Sequence, residues 1–230
     1  MLATRFPAKL FLLFSIVLGT ACAVEPLPEN LIQLDSKEGT VMLKEDANQN
    51  TVKMLAHFTT QDTVTYCGVA SAVMVLNSIN IPAPVDPAYT PYAYFTQDNF
   101  FNDNMSVKPE NVKQNGMTLS EMAQAIATYG VKATAYPANE LSLEAFRKIA
   151  TKALAQDGYV TVNFLRTALQ EVGGGHHSPL VAYDKKTDRF LLLDVARYKY
   201  PAYWVKTEDL WKAINTMDGV NSRGFIVIGQ

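Results

Sequence analysis

One cysteine of this chain is placed where it can act as a nucleophile. Cys67 follows Gln61-Asp62-Thr63-Val64-Thr65-Tyr66 and opens a stretch in which Val69, Val73 and Leu76 recur at helical spacing. Unpaired backbone N–H groups and the dipole at a helix start favour an anion. Such a setting lowers a thiol from about 8.5 toward roughly 3.5–7.5, giving the nucleophilic thiolate. The plain alternative is a buried cysteine packing as a small apolar residue, so its partners must decide. Gln61, in the loop that enters the helix, can fold its amide beside the thiol and donate to an oxyanion. Taken alone it is an ordinary surface glutamine.

The run Gly173-Gly174-Gly175-His176-His177-Ser178-Pro179 supplies a candidate general base at the lip of a strand, with glycines that let backbone approach a ligand. Adjacent histidines on a strand point to opposite faces, which argues against both ligating one metal ion. His57 has no partner visible in the sequence and reads as structural or exposed. Asp194 ends the apolar run Phe190-Leu191-Leu192-Leu193, where an unpaired carboxylate is costly to bury. Bonded to a histidine it would fix the ring's tautomer and orientation; capping the next turn accounts for it equally well.

The elements that must position these groups follow from periodicity. The spacing predicts a helix from Tyr66 to Ser78, with Asp62 or Thr63 as cap, and a capping box at Thr118–Glu121 opens a helix ending near Gly130. Another helix is expected from about Ser142 to Ala155. Strands are expected at Tyr159–Leu165, Ser178–Tyr183 and Phe190–Val195, the last two forming a hairpin across the polar Asp184–Asp188. Pairing Tyr183 with Arg189 puts His176 and Asp194 on one face and His177 on the other. A loop of even length reverses that unless a bulge intervenes. On the odd loop, which is the expectation, His176 Nδ1 would meet Asp194 with Nε2 toward Cys67, and His177→Ala would cost little activity. A short helix at Thr207–Asn215 and a strand at Gly224–Ile228 close the chain, while Glu25 to about Thr60 reads as turns and short extended pieces. Helices first and an antiparallel sheet afterwards is the α+β pattern.

Composition narrows the partners. The chain has 230 residues, 48% hydrophobic and 18% charged, near globular averages. Its 20 Lys and Arg stand scattered against 22 Asp and Glu, leaving no electrostatic footprint for nucleic acid or anionic lipid. No linker divides it, so residues 24–230 are expected to form a single catalytic domain. Arg5 and Lys9, the apolar Leu10–Leu18 and then Ala21-Cys22-Ala23 have the layout of a signal peptide at residues 1–23, cut after Ala23. The apolar run falls short of the roughly 20 residues that span a bilayer. Gly19 stands where a lipoprotein signal carries a branched residue, which disfavours lipidation of Cys22. The mature chain would be periplasmic or secreted, free of the membrane, with Cys67 unpaired in a compartment that oxidises paired cysteines.

Tyr66-Cys67-Gly68-Val69-Ala70-Ser71 with Val73-Met74-Val75-Leu76-Asn77-Ser78, Gly175-His176-His177-Ser178-Pro179, and Leu193-Asp194-Val195-Ala196-Arg197-Tyr198-Lys199-Tyr200-Pro201 with Trp204-Val205 together resemble phytochelatin synthase in its short bacterial form. The likeness runs from roughly Leu55 to Ile228. That family belongs to the papain-like cysteine peptidase clan, so the resemblance implies a papain-like fold. It implies Cys67 as nucleophile, His176 as base, Asp194 as its orienter and Gln61 as oxyanion donor. His177 falls on a variable position of the family's motif. Gly175, Asp218 and Arg223 fall on substrate-binding positions, the last two holding the γ-glutamyl end of glutathione, though more closely spaced here than in the family. The implied reaction is cleavage of glycine from glutathione through a γ-Glu-Cys thioester, with hydrolysis outweighing phytochelatin formation. It needs no cofactor and no protein-bound metal; heavy metal ions such as Cd²⁺ would enter as metal-bound glutathione. Glutathione is the expected partner, and a homodimer is an allowed assembly. A peptidase acting on longer peptides and an exported metal-binding protein using Cys67, His176 and His177 are the competing readings.

Overall fold

The computed structural model describes residues 24–229, so the signal-peptide segment expected at residues 1–23 lies outside the described residues. A short strand, β1 (Ile32–Gln33), leads into α1 (Lys37–Asp46) and α2 (Gln49–Ala56), where the sequence suggested turns. Both helices have capped starts. Ser36 accepts from the Gly39 N–H, and Asn48 and Thr51 satisfy each other's backbone in a capping box.

Next come α3 (Cys67–Ile79), α4 (Pro109–Asn115) and α5 (Leu119–Ala127). Helix α3 carries no charged residue, and Val69, Ala70, Ala72, Met74, Val75 and Leu76 are fully enclosed. It ends at Asn80, whose φ of 60° is the left-handed turn that commonly stops a helix. The second half of the chain is β2 (Lys132–Pro137), α6 (Leu143–Ala155), β3 (Tyr159–Leu165), β4 (Gly175–Asp184), β5 (Arg189–Leu192), β6 (Tyr203–Lys206), α7 (Thr207–Ile214), the small hairpin β7 (Met217–Asp218) and β8 (Asn221–Ser222), and β9 (Gly224–Gly229). Seven strands form one antiparallel sheet in the order β1-β6-β5-β4-β3-β9-β2. One face packs on α3 and α5 through residues such as Leu191, Trp204 and Ile226. The other packs on α6 and α7 through Val162, Phe164, Phe190 and Phe225. The α+β expectation is met.

The central hairpin reaches its register by a different route from the one expected. Asp184 pairs with Arg189 and Tyr183 with Phe190, so the turn spans residues 185–188, an even number. Alternation alone would then carry Asp194 to the side of His177. A bulge lies between Leu180 and Ala182, leaving Val181 unpaired in the ladder and restoring Asp194 to the side of His176. Both histidines lie within β4 rather than at its lip, and Asp194 lies just beyond the end of β5.

Candidate active site

Cys67 is the first residue of α3 and is 7% exposed. Tyr66, at the cap position, makes no side-chain bond to the helix, so the first-turn N–H groups stay open to an anion. Burial pushes the thiol up. The charge of His176, its ring N–H and the backbone N–H groups of His177 and Gly68 outweigh that, and the thiol lies below its ordinary value. Ser71 Oγ fastens helix to sheet, donating to the Cys67 carbonyl at 2.7 Å and lying 3.3 Å from that of His177.

His176 is 5% exposed and stands edge-on to Phe164, ring centroids 5.5 Å apart. Its Nε2 lies 2.8 Å from Asp194 Oδ1. The nitrogens are therefore exchanged relative to the sequence expectation: Nε2 meets the carboxylate and Nδ1 is left for the sulfur. The reason is geometric, since the carboxylate sits past the end of β5 and is met by the far end of the ring. Burial alone would lower the imidazole, but the Asp194 charge dominates in sum and raises it to about 9. A depressed thiol beside a raised imidazole favours the thiolate–imidazolium form of the pair.

Asp194 is fully enclosed. Besides His176 it accepts from Arg166 Nη1 at 2.8 Å, Arg166 Nη2 at 3.0 Å and the Ala196 N–H at 2.8 Å. Burial would raise the carboxyl, yet the charges and hydrogen bonds of His176 and Arg166 hold it well below the usual carboxylate range. Sequence reasoning passed over Arg166. Its signal was an arginine directly after the largely apolar β3, since arginine is rarely buried unless paired.

His177 points to the opposite face. Its Nε2 is 2.9 Å from the Met117 carbonyl, and its Nδ1 is buried without a partner. Burial, set against that hydrogen bond and joined by the charges of His176 and Arg223, lowers it to about 4, so the ring is neutral near pH 7. His177 has a structural part: at 2% exposure it ties the Met117 segment to β4, and removing it would leave a buried carbonyl unpaired. His57 is engaged elsewhere, its Nδ1 3.1 Å from Tyr94 OH. Among the described residues no three His, Cys, Asp or Glu side chains converge as a metal site.

A cleft of 170 Å³ opens beside the sulfur, lined by Cys67, His176, Gly175, Asn163, Asp218 and Arg223 among others. Arg223 donates to Asn163 Oδ1 at 2.6 Å and to Asp218 Oδ1 at 2.9 Å. A Cβ at Gly175 would collide with the Arg223 guanidinium, so glycine there is what lets the arginine lie against β4. Asn163 was also missed; it is the polar interruption of an apolar strand, and its Nδ2 is buried without a partner. Gln61 does not line this cleft. Its backbone N–H donates to the Val195 carbonyl at 2.9 Å, close to Asp194, and its Nε2 donates to the Thr63 carbonyl at 2.6 Å.

Comparison with known proteins sets this geometry in context. A family model described as phytochelatin synthase matches residues 22–225. Glutathione gamma-glutamylcysteinyltransferase 3 of Lotus japonicus is 32% identical over 209 residues, covering 86% of this chain and 42% of that protein. Glutathione gamma-glutamylcysteinyltransferase 2 of Arabidopsis thaliana is 31% identical, covering 86% and 45%. The glutathione gamma-glutamylcysteinyltransferase of Schizosaccharomyces pombe is 24% identical, covering 88% and 50%. The chain spans about half or less of the length of these curated relatives. Among solved structures, a protein from Bacillus anthracis described as a C39-like peptidase shares the fold with a TM-score of 0.53 at 16% identity, over 80% of this chain and 98% of that one. With the family's model covering nearly the whole described chain, the chain belongs to the phytochelatin synthase family.

Proposed function

We propose that this chain is a cysteine acyltransferase and hydrolase that removes glycine from glutathione. The observation that carries the proposal is the chain of contacts from Cys67 through His176 to Asp194, set beside a cleft walled by Asn163, Gly175, Asp218 and Arg223. Asp218 and Arg223 offer opposite charges suited to the ammonium and carboxylate of a γ-glutamyl end. The printed names of the relatives support glutathione as substrate. The Cys67 thiolate attacks the carbonyl that joins cysteine to glycine, and His176 protonates the departing amine, leaving a γ-Glu-Cys thioester. Water then releases γ-Glu-Cys, or a second glutathione takes the acyl group and forms a phytochelatin. Incubating the chain from residue 24 onward with glutathione, with and without Cd²⁺, and weighing the products by mass spectrometry tests this. Intact glutathione in every arm would overturn it.

Two readings compete less well. The cleft of 170 Å³ is smaller than the roughly 300–1,000 Å³ of ordinary ligand sites, which suits the end of a small peptide better than a long leader. The metal-binding reading needs Cys67, His176 and His177 together, but His177 is turned to Met117.

Gln61 uses one N–H bond on Thr63, and its amide nitrogen has a second to offer an oxyanion. Gln61→Ala is therefore expected to lower kcat by about 10²–10³ with KM little changed; loss confined to KM would make it a binding residue. Export remains part of the proposal. No helix among the described residues is long and apolar enough to cross a membrane. N-terminal sequencing of protein from its native host is expected to find Val24 first, and an intact Met1 would contradict export.

A further inference from the structure

We infer that Arg166 is a positioning residue of this site, whose planar fork fixes the Asp194 carboxylate so that Oδ1 meets His176 Nε2. Oδ1 has three partners, His176, Arg166 Nη2 and the Ala196 N–H. Oδ2 has one among the described residues, Arg166 Nη1. The terminal torsion of an aspartate is broad and roughly two-fold, so its plane is not fixed by rotamer preference. Two parallel N–H bonds from a guanidinium do fix it.

The fork is itself held. Arg166 is 3% exposed, with its guanidinium carbon 5.7 Å from the Phe164 ring centroid and 5.2 Å from that of Tyr200. A second carboxylate, Glu171 Oε2, lies 2.6 Å from Nη1. The Arg166 backbone N–H donates to the Gly174 carbonyl at 3.0 Å, and its carbonyl accepts from the Glu171 N–H at 3.1 Å. The same residue thus closes the base of the glycine loop that delivers His176 and orients the group that His176 meets. Lysine would keep the charge but not the plane, because an ammonium is a point charge without the fork.

The inference rests on the assignment of Cys67 and His176 as a reactive pair, so its test reads the thiol directly. The rate at which iodoacetamide alkylates Cys67 is followed against pH in wild type, Arg166→Lys and Glu171→Gln, alongside kcat and KM for glycine release. In Arg166→Lys the alkylation midpoint is expected to rise by about one unit, equivalent to about tenfold less thiolate at a pH below both midpoints. Its kcat should fall by about tenfold to a hundredfold with KM nearly unchanged, the mark of an interaction used in the transition state. Glu171→Gln loses the other carboxylate of the buried cluster but keeps the fork on Asp194, and its alkylation profile should match wild type even where its melting temperature drops. A wild-type profile in Arg166→Lys, or an equal shift in both variants, would show a merely structural role. Arg166→Gln, read the same way, decides the matter if lysine prevents folding. The alkylation profile keeps its meaning even if glutathione proves not to be the substrate.

Discussion

Cys67→Ala is expected to abolish glycine release from glutathione, a loss on the order of 10⁴-fold or more, since acyl transfer has no substitute for its nucleophile. The fold should survive. Cysteine packs as a small apolar residue, and the sulfur sits at the edge of α3 with its backbone still held by Ser71, so the change in stability should stay within about 1 kcal/mol. Rapid quenching of the wild-type reaction should reveal intact protein heavier by one γ-Glu-Cys acyl group, and the alanine variant should lack that species. Near-normal turnover by a folded alanine variant would remove the thioester mechanism altogether.

The adjacent histidines should part company just as sharply. His176→Ala is expected to stop glycine release, because it removes both the proton donor for the leaving amine and the cation that favours the thiolate. His177→Ala should act on the fold, lowering stability by about 2 kcal/mol or more through a cavity and an unpaired Met117 carbonyl. Glycine release per folded molecule, measured beside thermal unfolding, separates the two. Chemistry lost in folded His177→Ala and kept in His176→Ala would reverse the assignment.

Their titrations pull stability in opposite directions. His176 rises from about 6.5 unfolded to about 9 folded, so its contribution is full below about pH 6.5 and fades as pH rises through 9. His177 falls to about 4, so its contribution is full above about pH 6.5 and fades as pH drops through 4. The depressed Cys67 thiol offsets the alkaline loss from His176, so the decisive part of the melting-temperature curve is its acid limb, where a fall is expected. In His177→Ala the acid side of that curve should flatten, and an unchanged acid limb would contradict a neutral buried ring.

The candidate groups were legible because their types are rare in their settings: an unpaired cysteine opening an apolar helix, an aspartate closing an apolar strand, a histidine after glycines. Their connections were less so. The exchanged nitrogens of His176 depend on where the carboxylate lies along the ring, which residue type does not encode. The bulge at Val181 was invisible because the residue is an ordinary strand former, and only hairpin parity hinted that one was needed. Helices α1 and α2 were misread although Ser36 and the Asn48–Thr51 box announced them; the prolines just upstream suggested irregular chain. Arg166 and Asn163 lay inside a stretch read for its apolar pattern, where polar exceptions carry the information.

Val181 makes this hairpin behave like a text with a compensated frameshift. Deleting Val181 alone would turn Asp194 away from His176, as would adding one residue to the 185–188 turn, while making both changes together would restore the phase. Natural variation in that turn should therefore come in steps of two, or in pairs of opposite sign. The extra residue is also pinned from outside, since Thr51 Oγ1 donates to the Val181 carbonyl at 2.7 Å from the first turn of α2. A helix far from the chemistry in sequence thereby keeps the reading phase of the strand that carries it.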